Sequence, residues 1–100
     1  MNTVALVVKL VAKPGQEDTV AAFLTGALDL ANAEPGTSVW FALRSDNATF
    51  WIVDAFPSDV ERQAHLSGPI AAALMENADA LLAVAPEILP ATVLAEKVTT

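Results

Sequence analysis

The stretch from Phe50 to Gly68 constrains the fold of this chain more than any other. An apolar run, Phe50-Trp51-Ile52-Val53-Asp54-Ala55-Phe56, reads as a β-strand and passes through Pro57 straight into a helix. Ser58 and Glu61 stand at capping-box spacing, so that helix begins immediately after Pro57. The same stretch concentrates the side chains able to do chemistry. Asp54 interrupts the apolar pattern of the strand, and the helix carries His65, the single histidine of the chain, together with Glu61 and Arg62.

The flanking segments complete the pattern. Val4 to Ala12 is β-rich, apolar apart from Lys9, and ends at Pro14-Gly15. Glu17 and Asp18 suit the positive end of a helix, and Val20, Phe23, Leu24, Ala27, Leu30 and Ala31 follow at helical spacing. Glu34-Pro35-Gly36 stops that helix. Ser38–Arg44 and Thr49–Phe56 read as strands joined by a polar turn over Ser45–Ala48. Gly68-Pro69 divides the second helix, whose later part shows an apolar face of Ile70, Leu74, Ala78, Leu81 and Leu82. Pro86 and Pro90 bracket an extended passage, and Val93 to Val98 reads as the last strand. The order is β-α-β-β-α-β over residues 1–100, one domain: an α+β, ferredoxin-like sandwich with an antiparallel four-stranded sheet and helices on one face.

A hairpin turn centred on Asp46-Asn47 places Trp40, Ala42, Arg44, Trp51 and Val53 on one face. Val39, Phe41, Leu43, Phe50, Ile52, Asp54 and Phe56 then take the other. Both faces are mainly apolar, and helices cover only one. The simplest cover for the second is the same sheet of another subunit, which predicts a two-fold homodimer. The composition agrees: 54% of the residues are hydrophobic, more than a monomer of 100 residues readily hides.

No run of apolar residues reaches the roughly 18 needed to span a bilayer. The N-terminus lacks a basic region ahead of its apolar strand, so no signal peptide is expected. With no cysteine either, the expected location is the cytoplasm. A formal charge of −7 repels nucleic acid and anionic lipid, so neither is an expected partner.

The element order, Lys13-Pro14-Gly15 after the first strand, Glu34-Pro35-Gly36 before the second, the strand Phe50–Asp54 and the helix segment Ala64-His65-Leu66-Ser67-Gly68-Pro69 together resemble the antibiotic biosynthesis monooxygenase family, within the dimeric α/β-barrel proteins. The resemblance covers nearly the whole chain. It implies a homodimer with its sheets packed face to face, and a small apolar pocket between sheet and helices in each subunit. Some members oxygenate hydroquinones or polycyclic phenols with O2 and no metal, haem or flavin, others cleave haem, and many have no known activity. The haem-cleaving members place an asparagine in the first strand, a tryptophan in the second helix and a histidine ligand about ten residues on. Here the first strand has no asparagine after Asn2, the helix position is His65 and the ligand position falls near Met75, so haem cleavage is not expected.

Within this frame His65 is the acid–base candidate, because a neutral imidazole can take the proton a quinol loses before it reduces oxygen. The bland alternative is a helix histidine bonded to backbone or exposed. Asp54, at a position where the family commonly has an acid, is the second catalytic candidate; a structural partnership with Arg62, Lys9 or a residue across the dimer is the alternative. Trp40, Trp51, Phe41 and Phe56 are candidates to bind an aromatic substrate, with Phe50 beside them, and core or interface packing is their ordinary role. One histidine, no cysteine and no clustered acids leave no standard zinc site. The four dispersed glycines make no phosphate-cradling loop, so neither metal nor nucleotide cofactor is expected. The leading expectation is a cofactor-independent monooxygenase acting on a small hydroquinone or polyphenol. The alternatives are a non-catalytic dimeric barrel that binds an apolar small molecule, of stress-response type, and a cofactor-free isomerase or decarboxylase on the same fold.

Overall fold

The computed structural model describes residues 1–99. Four strands, β1 (Val4–Val11), β2 (Val39–Arg44), β3 (Thr49–Phe56) and β4 (Glu87–Thr92), form one antiparallel sheet in the order β2-β3-β1-β4. The helices α1 (Glu17–Gly26), α2 (Leu28–Asn32), α3 (Asp59–Leu66) and α4 (Pro69–Leu81) supply the other layer. This is the ferredoxin-like α+β sandwich expected from the sequence. Alternation along β1 sends Leu6, Val8 and Leu10 to the helix side, and β3 adds Phe50, Ile52 and Phe56. Val20 and Leu24 of α1, with Ile70 and Leu74 of α4, close over them. A fully buried Leu or Phe of this kind contributes about 1.5–3 kcal/mol.

Three details differ from the sequence reading, each for a physical reason. The first helix divides at Ala27, beside Gly26, where one amide is shared between the carbonyls of Phe23 (3.1 Å) and Leu24 (3.2 Å). Glycine weakens a helix interior, and the tightened turn lets α2 redirect the chain while Ala27 and Ala31 stay buried.

The last strand is Glu87–Thr92, not Val93–Val98. Pro90 lies inside it, opposite Leu6. An edge strand tolerates this because alternate amides point away from the sheet and need no partner there. The segment expected to be a strand is instead an irregular tail. Asn2 anchors it through its backbone and side-chain nitrogens to the Glu96 carboxylate, both at 2.9 Å.

The hairpin register is displaced by one residue. Trp40 pairs with Asp54, Ala42 with Ile52 and Arg44 with Phe50. The Asp46 carboxylate accepts the amides of Ala48 (3.0 Å) and Thr49 (2.8 Å), and the Ser45 amide bonds to the Thr49 carbonyl. These bonds build a loop one residue longer than a turn centred between Asp46 and Asn47. Trp40, Arg44, Phe50, Ile52, Asp54 and Phe56 consequently share the helix side. Phe41, Leu43, Trp51, Val53 and Ala55 share the outer face.

That outer face has no helix over it. Phe41 is 56% exposed, and Leu43 and Leu89 are about half exposed. Val7, Val11, Trp51 and Val53 extend the apolar surface, and Lys9 lies over the Trp51 ring at 5.7 Å. No helix among the described residues is long and apolar enough to cross a membrane.

Candidate functional site

The helix side of β3 carries Asp54 against the inner face of α3, where His65 lies in the last turn of the helix. His65 is 7% exposed and Asp54 is completely buried. The imidazole Nε2 stands 3.0 Å from Asp54 Oδ2, a close ion contact rather than an aligned hydrogen bond. Its Nδ1 stands 2.6 Å from Glu34 Oε1. Glu34 leads the Glu-Pro-Gly turn after α2, and its Oε1 also accepts the Thr37 hydroxyl at 2.8 Å. The Phe56 ring closes one side of the imidazole, with centroids 5.3 Å apart and planes tilted by 44°. The imidazole is thus clamped between two carboxylates in an otherwise apolar setting.

This clamp raises the proton affinity of the histidine. Burial alone would push its pKa down, but the hydrogen-bonding and charge of Asp54 and Glu34 outweigh that and hold it above the ordinary value. His65 is therefore shifted toward imidazolium relative to a free histidine, with each ring nitrogen close to a carboxylate oxygen.

Glu34 and His65 reach the wall of an open cleft of about 540 Å³. Ala33, Pro35, Val60 and Ala64 give it apolar walls, and Glu61 stands at its rim. Gly36 is required where the turn meets α3, because a Cβ there would fall 2.8 Å from Glu61 Cγ. Gly68 lies behind the acid, where a Cβ would make a tight contact of 3.2 Å with Glu34 Oε2. That oxygen is buried and receives no hydrogen bond.

Of the sequence candidates, the fold brings together His65, Asp54, Phe56 and Trp40, the last directly across the strand pair from Asp54. The Trp40 indole nitrogen is buried without a partner. Trp51 and Phe41 lie on the outer face, away from this cluster, and Trp51 Nε1 donates to Ser45 Oγ at 2.8 Å. The suggested partners of Asp54 are also elsewhere. Arg62 binds Asp59 (2.9 Å) and the carbonyls of Ala5 and Ala91, while Lys9 projects to the opposite face. No metal-holding group of side chains exists among the described residues; Glu34 and Asp54 sit on opposite nitrogens of one ring and cannot converge on one ion.

A crystal structure of the NE2512 protein of unknown function from Nitrosomonas europaea matches the whole chain. The two are 53% identical over 100% of this chain and 97% of that one, with a TM-score of 0.98. The chain belongs to the family of that protein. More distant structures share the fold. A "putative antibiotic biosynthesis monooxygenase" from Nitrosomonas europaea is 15% identical over 93% of this chain and 91% of its own, with a TM-score of 0.82. A protein of the same name from Chloroflexus aurantiacus is 24% identical over 95% and 96%, with a TM-score of 0.74. No family model and no curated protein matches the chain. The resemblance read from the sequence is thus met at the level of fold.

Glu34 is the member of the site that sequence reasoning missed. It lies 31 residues from His65 and reads locally as the start of a turn. The available signal was an acid leading a Pro-Gly turn in a chain with a single histidine.

Proposed function

We propose that the protein is a cofactor-independent monooxygenase that oxidises a small hydroquinone or polyphenol with O2 in the cleft beside His65. The observation that carries this reading is the Glu34–His65–Asp54 array at the wall of an apolar cleft, in a chain with the fold of proteins named for such chemistry. In this reading the Glu34 carboxylate takes the phenolic proton. The imidazolium, fixed from behind by Asp54, offsets the charge of the phenolate that remains. The phenolate transfers an electron to O2, and the resulting pair combines at a ring carbon. One oxygen atom stays on the ring as a hydroxyquinone and the other leaves as water, so the hydroquinone supplies all the electrons. Apolar walls keep the intermediates from water. The working unit is a homodimer joined through the outer sheet face, whose exposed Phe41, Leu43 and Leu89 support that assembly.

Oxygen uptake with naphthohydroquinones and anthrols, corrected for spontaneous oxidation, tests the reading. The expected result is saturable uptake with one 18O atom per product, reduced about 10²–10⁴-fold in Glu34→Gln. Absence of saturable uptake across the panel would withdraw it in favour of a barrel that binds an apolar small molecule without turnover. The engagement of both imidazole nitrogens favours that second reading.

A further inference from the structure

The cleft beside His65 has a charge pattern that the oxygenase reading does not require. Its lining contains two carboxylates, Glu34 and Glu61, and neither lysine nor arginine. Four of the basic side chains are engaged elsewhere: Lys9 over Trp51, Lys13 on the Asp79 carbonyl, Arg44 at the hairpin loop and Arg62 on Asp59. The positive end of α3 faces this region, but its own first-turn acids, Asp59 and Glu61, already occupy it. Glu61 is held ionised, its pKa lowered chiefly by the hydrogen bond from Ser58. His65, the one group at the wall able to carry positive charge, faces two carboxylates, Glu34 and the buried Asp54. The array therefore leaves net negative charge at the cleft, in a chain of net charge −7.

We infer that this cleft selects uncharged, hydrogen-bond-donating aromatics and rejects the same ring when it carries a carboxylate or phosphate. An anion entering here meets like charge from Glu34 and Glu61 and finds no free cation to pair with. A neutral phenol meets no such repulsion, can donate to a remaining lone pair of these carboxylates, and buries its ring against Pro35, Val60 and Ala64. The inference deepens the reading of the same site, and it is tested with ligands that are not turned over, so each can fail without the other.

Calorimetric titration at pH 7 would compare 1-naphthol, 4-hydroxy-1-naphthoate and 4-(aminomethyl)-1-naphthol, with amide chemical shifts reporting where each binds. The expected result is shifts at residues 33–37 and 60–65, with the carboxylate bound at least about tenfold more weakly than the naphthol and the amine no weaker. Glu61→Gln should narrow the ratio between carboxylate and naphthol, and added salt should do the same. Equal binding of carboxylate and naphthol, a ratio indifferent to both Glu61→Gln and salt, or shifts outside these two segments would each overturn the inference. So would failure of all three ligands to bind. Selective binding here, with no saturable oxygen uptake across the naphthohydroquinone and anthrol panel, would sink only the oxygenase reading.

Discussion

His65 is the residue at which the proposed chemistry and the stability of this protein meet. Because its folded pKa is raised, the stabilisation it provides is fully present below the ordinary value of 6.5 and is lost as pH rises through the higher folded value. Denaturation midpoints should therefore fall on the alkaline side of that value, while those of His65→Asn should not show this step. The single imidazole gives one resolvable NMR titration, which should move to lower pH in Asp54→Asn. A titration unchanged in that variant would show that the 3.0 Å contact does not govern the ring. Replacing His65 with leucine strands a buried carboxylate and should cost about 3–5 kcal/mol at pH 7. The double variant with Asp54→Asn should cost less than that single change, since the fully buried charge is then gone and only Glu34, still bonded by Thr37, has lost the imidazole. Denaturant unfolding of the two variants decides it.

At the scale of elements, the site is made by the approach of the Glu34–Thr37 turn to α3. Gly36 permits that approach, since a Cβ there would overlap the base of the Glu61 side chain rather than its mobile end. Gly36→Ala should destabilise the protein by about 1–3 kcal/mol through overpacking. It should also shift the His65 NMR signals as the turn and the Glu34 carboxylate move away. Wild-type stability together with unshifted His65 signals would show that the turn has slack. The capping residues of α3 contribute differently from expectation: the Ser58 hydroxyl bonds the Glu61 carboxylate instead of a free amide of the helix. Their spacing marks the start of the helix, but their geometry serves the rim of the cleft.

For the whole molecule, the uncovered outer face of the sheet is the dominant feature. Phe41, Leu43, Trp51, Val53 and Leu89 share it, interrupted mainly by Lys9 and Glu87 on neighbouring strands. If a second copy covers it, sedimentation should give twice the 10.4 kDa chain mass. Phe41→Asp should then release folded monomer, because the charge would be buried in an apolar interface. A wild-type monomer at micromolar concentration would remove the dimer from the proposal. The assignment of Phe41 and Trp51 to this face also separates their role from the cleft, so Phe41→Asp tests assembly without touching the His65 array.

The sequence by itself determined the kinds and order of the elements. Periodicity, Pro-Gly breaks and the Ser58–Glu61 spacing are local signals, and they specified the β-α-β-β-α-β order, the two apolar sheet faces and His65 as the lone imidazole. Tertiary structure decided what depends on loop geometry or on distant contacts. The Asp46-capped loop shifted the hairpin by one residue and exchanged the faces of Trp40 and Phe41 relative to Asp54. Edge position made Glu87–Thr92 a strand despite Pro90. The clamp on His65 arose because a turn 31 residues away delivers Glu34 to one nitrogen while the buried face of β3 delivers Asp54 to the other. Hydrophobic periodicity encodes which face a residue joins within its own element. It carries no information about which residue of another element stands opposite, and the Glu34–His65–Asp54 array depends on that opposition.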